Sequence, residues 1–287
     1  MNGSPGTVSK ILWHFTGGPR WNVANNRQEA KPKPVAEAYE ALISILSQKI
    51  LHAGQFREVV KVLAPRTRTF NRATRRWRTN PRKIVELKSE RVCCLGDIPI
   101  AHLSYVAKRY GKVAIGFHRN AAIRRGFNPV LYALHEANVL QSLYSTSAQL
   151  VSLKNREVDR LRFEAEKAME SLECDEGHPL ETTVLPPILD QALDDLEESI
   201  GEIADVHEDL LAFVKTFRKS EFSTIYCERE WRSTRGFPFT FEDVAMVVLP
   251  RKHSRMALLN DFLVNKVKSL KLPRTVPVVA WEDLIEH

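Results

Sequence analysis

Short apolar runs rich in β-branched and aromatic residues recur along the chain, and many are followed by glycine or proline turn signals, as strands are. The strands predicted in this way lie near His14, Cys93, Ile115, Leu131, Tyr226 and Val247. Other stretches have apolar residues at helical spacing and predict helices over residues 35–51, 100–110 and 255–270. This combination indicates an α+β fold with a mostly β core.

Residues 136–218 follow a different pattern. Glycine is nearly absent, and apolar residues recur close to the helical period in two long stretches that a break at residues 173–187 separates. We interpret the segment as a helical hairpin or bundle inserted into a core domain formed by residues 1–135 and 219–287. The sequence leaves three roles open for this insertion: structural cover, an arm for homodimerisation, or a surface for a partner.

Residues 226–232 carry two carboxylates and two guanidinium groups in five positions, after the apolar, β-prone run 222–225. In a strand, Glu228, Glu230 and Arg232 lie on one face. Two carboxylates on one face repel each other, which raises the pKa of one of them and leaves it available as a base or an acceptor. The structural alternative is a surface strand whose Glu and Arg neighbours neutralise each other.

Charge is unevenly distributed along the chain, whose formal net charge is +7. Residues 57–91 contain about a dozen Lys and Arg against about three acids, and we interpret the Arg-rich part as a loop or extended arm that a nucleic-acid partner orders. Residues 157–209 reverse the balance, with about eighteen acids against about three bases. Both blocks are equally compatible with solvated faces. The candidate nucleic-acid contacts are Arg66, Arg68, Arg72, Arg75, Arg76 and Arg78.

The remaining composition narrows the class of protein. No run of eighteen apolar residues is present, so no membrane span is expected. The four cysteines form no C-x-x-C pair, and no His/Cys spacing indicates a metal site. The polar beginning of the chain lacks the apolar segment of a secretion signal. A reduced, cytoplasmic protein is the expectation.

Six short motifs follow one another along the chain, at residues 13–18, 94–99, 109–111, 115–117, 128–132 and 228–232. In this order they resemble the abortive phage resistance family AbiGi, an antitoxin-like member of a phage-defence pair. This resemblance implies a role in abortive infection and a cognate toxin or antitoxin as partner, and by itself it says little about chemistry.

A more remote resemblance is to the ADP-ribosyltransferases, which have a His-x-Thr strand and a later strand with a glutamate, sometimes as E-x-E. His14 and Thr16 are similar to the first motif, and Glu228 and Glu230 to the second. The resemblance implies a mostly antiparallel core of that type, with NAD as substrate. By this resemblance His14 binds the ribose of NAD together with Thr16, Glu230 holds the ribose hydroxyl and stabilises an oxocarbenium-like transition state, and Glu228 orients the acceptor.

The sequence does not decide which aromatic residue belongs to that site. Either Tyr110 or Tyr132 is expected to stack on the nicotinamide, although an aromatic residue in a strand is more commonly part of the core.

Three classes of function therefore compete. The first is an NAD-dependent ADP-ribosyltransferase-like enzyme of phage defence, whose basic arm recruits a nucleic-acid acceptor. The second is a non-catalytic antitoxin or binding module, whose acidic insertion mimics a nucleic acid or covers a basic surface of the toxin. The third, a nuclease in which Asp97, Glu228 and Glu230 bind Mg²⁺, has the least support, because no compact acidic signature with a lysine is evident.

Overall fold

The computed structural model of the protein describes residues 9–22, 24, 27–29, 31–54, 56–64, 66, 68–71, 74–153, 158–173, 187–221, 228–254 and 256–285. The chain divides into two compact units. Unit 1 comprises Met1–Glu58, Glu90–Tyr132 and Ala212–His287, and unit 2 comprises Val59–Ser89 and Ala133–Leu211. Among the described residues, no helix combines the length and apolar character that crossing a membrane requires.

Strands and helices are both abundant, as an α+β fold requires. The described strands are β1 (Ile11–Phe15), β2 (Trp21–Asn22), β3 (Arg27–Gln28), β4 (Ile50–Leu51), β5 (Arg57–Leu63), β6 (Arg68–Asn71), β7 (Arg76–Thr79), β8 (Ile84–Arg91), β9 (Cys93–Gly96), β10 (Ala114–His118), β11 (Asn128–Pro129), β12 (Leu131–Leu134), β13 (Val214–Phe217), β14 (Glu230–Ser233), β15 (Phe237–Pro238), β16 (Val244–Leu249) and β17 (Val278–Ala280). The described α-helices are α1 (Val35–Gln48), α2 (Leu103–Tyr110), α3 (Arg119–Arg124), α4 (Asn138–Ser152), α5 (Val158–Glu173), α6 (Pro187–Ala212), α7 (Leu258–Asp261), α8 (Val267–Leu270) and α9 (Trp281–Ile285).

Unit 1 is built on a seven-stranded sheet with the order β11-β14-β9-β1-β10-β16-β17. The strands pair antiparallel except for β16 and β17, which are parallel. The prediction of an α+β fold with a mostly antiparallel core is therefore confirmed. The order brings β1 near the start of the chain next to β9, and β9 next to β14, so that residues distant in sequence lie side by side.

The sheet separates between the neighbouring strands β1 and β9. β1 pairs with β10 along its whole length, and β9 pairs with β14 from Cys93 to Gly96. Between β1 and β9, in contrast, the single pair among the described residues is Trp13 with Gly96. Because the ladder is not continued past this pair, the backbones of β1 and β9 leave a gap in which side chains can lie.

Both faces of the sheet are covered by apolar side chains. On one face, α1 contributes Ala38, Leu42 and Leu46, which recur every fourth position and therefore share one side of the helix. The other face is covered by a smaller cluster around Trp13, which packs with Leu103 of α2 and donates its indole N–H to the Ile98 carbonyl at 2.9 Å. These two layers fix the positions of β1, β9 and α2.

One glycine is required by the packing of β1 on β10. Gly116 lies directly opposite Trp13 in the ladder. A Cβ atom at Gly116 would lie 2.7 Å from Cγ2 of Ile11 and 3.0 Å from the Trp13 ring. The absence of a side chain at this position therefore leaves room for Ile11 and the Trp13 indole beside β10.

The described residues of unit 2 form a β ribbon and the helices α4, α5 and α6. β5 pairs with β8, and the Ala64 N–H donates to the Lys83 carbonyl at 2.9 Å. The ribbon continues into an antiparallel hairpin of β6 and β7. The helices α4, α5 and α6 lie together, since His207 of α6 bonds to the Leu143 carbonyl at 3.2 Å and Arg162 of α5 pairs with Asp190 at 3.3 Å.

The structure corrects the interpretation of the Arg-rich segment as a loop or extended arm. It forms the β6–β7 hairpin, whose Thr69, Trp77 and Thr79 have high β propensity. Of the candidate nucleic-acid contacts, Arg66, Arg68, Arg75, Arg76 and Arg78 are exposed, and Arg72 lies outside the described residues.

Two further strand and helix predictions change. The helical insertion was expected to reach residue 218, but α6 ends at Ala212 and β13 follows it. The stretch 226–232 was expected to be one strand. β14 begins only at Glu230, because Arg229 adopts a positive φ of 41° that interrupts an extended chain. Tyr226, Cys227 and the approach from residue 222 lie outside the described residues, as does most of the break at 173–187.

Candidate functional site

Unit 1 contains a cavity of about 600 Å³ at the gap between β1 and β9. Its walls come from both sides of the gap and from α1 and α2. The volume lies within the range that small-molecule and cofactor pockets usually have. Five of the residues predicted from the sequence line this one cavity: His14, Thr16, Tyr110, Glu228 and Glu230.

His14 spans the gap between the two strands. Its Nδ1 lies 3.2 Å from the carbonyl oxygen of Cys94 in β9. A carbonyl oxygen only accepts hydrogen bonds, so Nδ1 carries the proton and Nε2 is the acceptor nitrogen. Burial, and to a lesser extent the Lys33 ammonium, lowers the pKa of His14 to about 4. The imidazole is therefore neutral at physiological pH.

Glu230 lies between two cations. Arg232 donates from Nε to Oε1 at 3.1 Å and from Nη2 to Oε2 at 3.0 Å, and Lys215 Nζ donates to Oε2 at 2.8 Å. Burial alone raises the pKa of a carboxyl group, but here Arg232 and Lys215 outweigh burial and hold the pKa of Glu230 well below its usual range. The carboxylate is therefore ionised at neutral pH.

This arrangement corrects the expected repulsion between the two glutamates. Lys215 forms ion pairs with both Glu228 and Glu230, so an ammonium group neutralises the charges that were predicted to repel. Burial on its own lowers the pKa of an amine, yet the two glutamates raise the pKa of Lys215 well above its ordinary value. The raised carboxyl pKa predicted for this pair does not occur at Glu230.

Glu228 is held from three sides, although it precedes the strand. Besides the ion pair with Lys215, it accepts hydrogen bonds from Arg109 Nη1 at 2.9 Å and from the Tyr110 hydroxyl at 3.1 Å. Because Arg109 and Tyr110 end α2, this helix fixes the position of the Glu228 carboxylate in the cavity wall.

Arg232 is the buried centre of the ion network. Its side chain is 0% exposed. Besides Glu230, it forms an ion pair with Glu58 and donates from Nη1 to the Ala212 carbonyl at 2.8 Å. A buried guanidinium is tolerated only when its donors are satisfied and its charge is paired, and both conditions are met here.

The remaining predicted site residues have mainly structural contacts. Thr16 donates its hydroxyl hydrogen to the Ala38 carbonyl at 2.7 Å and so ties the end of β1 to α1. Tyr132 accepts the Glu230 N–H at 2.7 Å, which supports the backbone of β14. Tyr110 lies against the ring of Phe15, with 6.2 Å between the centroids, and contributes to the cavity wall.

The nuclease alternative gains no support from the described residues. Among them, no three His, Cys, Asp or Glu side chains are grouped to hold a metal ion. Asp97 pairs with Arg229 at 3.1 Å, and the carboxylates of Glu228 and Glu230 are bound by cations. Positively charged neighbours at each carboxylate disfavour a divalent cation.

Sequence reasoning missed the cations that complete this site. Lys215 lay within the segment predicted as helical insertion, so it was not considered. The signal was present, because Phe213, Val214, Thr216 and Phe217 form a β-prone run around it after the last helical residue. Arg109 belonged to a recognised motif, but no pattern in the sequence connects it to Glu228, 119 positions away.

One family model matches part of the chain. Residues 57–185 match the family model described as "Putative abortive phage resistance protein AbiGi, antitoxin". The predicted resemblance to this family is thereby confirmed. The match contains four of the six motifs and the first part of the helical segment, whereas the motifs at 13–18 and 228–232 lie outside it. No curated protein and no solved structure matches the chain.

The buried network predicts unequal costs for removing two arginines. We expect Arg232→Met to lower the free energy of unfolding by about 3–5 kcal/mol, because Glu58 and Glu230 lose the buried guanidinium that pairs with both of them. The control is Arg124→Met, which removes an ion pair with Asp243 whose arginine side chain is 68% exposed; here we expect a loss below about 1 kcal/mol. Urea unfolding at neutral pH measures both, and equal losses would contradict the network.

The lowered pKa of His14 predicts a loss of stability in mild acid. In the unfolded chain the imidazole takes up a proton near its ordinary pKa of 6.5, whereas in the fold it does so at about 4. The contribution of His14 to the free energy of unfolding is therefore complete above about pH 6.5 and declines as the pH falls toward about 4. At pH 5 the free energy of unfolding is lower by about 2 kcal/mol. Urea unfolding of wild type, His14→Gln and the exposed control His52→Gln between about pH 7.5 and 5 measures this loss. We expect it in wild type and His52→Gln; its persistence in His14→Gln would assign it to another group.

Proposed function

We propose that this AbiGi-like chain acts in phage defence and that unit 1 is an NAD-binding domain of the ADP-ribosyltransferase type. One observation carries the proposal. His14 and the pair Glu228 and Glu230, more than two hundred positions apart in the sequence, line the same cavity where the sheet separates. Those are the two motifs on which the resemblance to the ADP-ribosyltransferases rests.

The chemistry of the cavity is consistent with the parts of NAD. The neutral His14 has an acceptor nitrogen suited to a ribose hydroxyl. Lys33 and Arg109 supply positive charge for the diphosphate, and Phe15 and Tyr110 supply apolar ring surface for the nicotinamide. The residues present therefore fit the group that the resemblance implies.

The fixed charge of Glu230 gives a reason for its role. Cleavage of the bond between nicotinamide and ribose develops positive charge on the sugar, and a carboxylate that is already ionised and held in place stabilises such charge without reorganisation. Glu230 has this property because Arg232 and Lys215 keep it ionised. Lys215 also bonds to it, so a ribose hydroxyl has to share or replace that contact.

A second candidate function, a partner-binding antitoxin, is favoured by a surface on α6. The exposed side chains Leu196, Ile203, Val206 and Leu210 follow the spacing of a coiled-coil seam. Asp195, Glu202 and Asp209 are exposed, and each directly precedes one of three seam residues, so that acids border the seam. We call these seven residues the α6 stripe.

The partner that fits the α6 stripe is an amphipathic helix with basic residues beside its apolar face. Charge complementarity favours such a partner over a second copy of this chain, since a copy presents the same three acids to the stripe. The "antitoxin" in the description of the family supports a partner protein.

The NAD proposal is tested by nicotinamide release from labelled NAD. Glu230→Gln is expected to lower the rate by about 10²–10³ because it removes the charge that the transition state needs. Glu242→Gln, an exposed glutamate outside the cavity, is expected to leave it unchanged. Circular dichroism and titration calorimetry with NAD accompany both variants. A folded wild type that neither binds nor cleaves NAD would refute the proposal, as would a folded, fully active Glu230→Gln.

The antitoxin candidate is tested by co-expression with the product of the adjacent gene, followed by size-exclusion chromatography. Ile203→Glu places a charge in the α6 stripe and is expected to weaken the complex about 30-fold or more, as at an interface hot spot. Ile188→Glu is the control, because Ile188 is 87% exposed on the same helix but lies outside the stripe. An intact complex with Ile203→Glu, or self-association through the stripe without the second protein, would contradict this candidate.

A further inference from the structure

The tip of the β ribbon in unit 2 has an unusual composition. Residues 66–83 contain eight Lys and Arg and no Asp or Glu. Nearer the base of the ribbon acids do pair with its cations, since Lys61 lies 3.3 Å from Glu86. Like charges this close repel one another, so the hairpin has an excess of positive potential that an external polyanion would neutralise.

The register of the hairpin sorts these cations by face. Thr69 pairs with Arg78, and Arg68 pairs with Thr79. Arg76 and Arg78 therefore lie on one face, about 7 Å apart along the strand. Arg68 and Trp77 lie on the other face, as diagonal neighbours about 7–8 Å apart.

Trp77 is a large aromatic residue that is exposed to solvent. It is 66% exposed, among arginines that are exposed as well. An indole ring in this position offers a flat apolar surface beside positive charge. That combination matches an unpaired base, which stacks on the ring while an adjoining phosphate meets Arg68 on the same face.

We propose that the β6–β7 hairpin is a binding site for single-stranded nucleic acid, with Trp77 as the stacking platform and Arg68 as the phosphate contact on the same face. Arg76 and Arg78 contact further phosphates where the flexible strand passes to the opposite face. The site is independent of the NAD cavity, because every residue it uses belongs to the hairpin. A single strand fits better than a duplex, in which the bases are stacked on each other and are not available to the indole ring.

The charge and the ring make separable contributions, and the experiment uses this. Binding of a fluorescent oligothymidine of about 20 nucleotides is followed by anisotropy between about 50 and 200 mM salt. The double variant Arg76→Gln/Arg78→Gln is expected to weaken binding about tenfold or more at the lower salt concentration and to reduce the slope of log affinity against log salt by about 1.4. Trp77→Ala is expected to weaken binding about fivefold or more with the salt slope unchanged, and Trp77→Phe to restore most of the loss.

The control variant has the same net charge as Arg76→Gln/Arg78→Gln. Arg125→Gln/Arg274→Gln removes the same two charges from exposed positions in unit 1 and is expected to bind like wild type. The proposal is overturned if wild type does not bind at the lower salt concentration, or if the two double variants lose affinity equally. It is also overturned if duplex DNA binds as tightly as the single strand while Trp77→Ala has no effect. If the protein instead self-associates in a salt-sensitive way that depends on Arg76 and Arg78 and does not bind the oligonucleotide, the hairpin binds a second copy of the chain. That result would also overturn the proposal.

Discussion

The neutralisation of one fully buried guanidinium is the constraint on which the arrangement of unit 1 depends. Arg232 has no contact with water, so its charge requires carboxylates at fixed positions. Glu230 and Glu58 meet this need, and Lys215 then balances Glu230 and Glu228. The start of β5, the strand β13 and the strand β14 are consequently held around one ion network, which forms part of the wall of the cavity.

The same network determines what the cavity can do. A carboxylate whose pKa is held low serves as a hydrogen-bond acceptor, but it cannot supply a proton near neutral pH. His14 is neutral as well, so it does not add positive charge. Neither Glu230 nor His14 therefore serves as a general acid at neutral pH.

The sequence predicted the parts of unit 1 whose pattern is local. The apolar runs around Leu12, Ile115 and Val247 and the helix at residues 35–48 were found because burial imposes a period on them. The expected repulsion between Glu228 and Glu230 is replaced by an ion network. This was not predictable from the sequence, because Lys215 comes close to the two glutamates only in the folded chain. The hairpin was missed for a different reason: its exposed strands have no apolar face whose alternation would reveal them.

Unit 1 is interrupted twice, and this affects its folding and its evolution. The chain leaves the sheet for residues 59–89 and again for residues 133–211 before β14 can pair with β9. Pairing across such separations raises contact order, so we expect slow closure of this part of the sheet. The entropy of closing a loop grows only with the logarithm of its length, and the two excursions differ by only about 0.8 kcal/mol in that respect. Relatives can thus lengthen or shorten either excursion at little thermodynamic cost, whereas the spacing within β9 and β14 is fixed by the ladder.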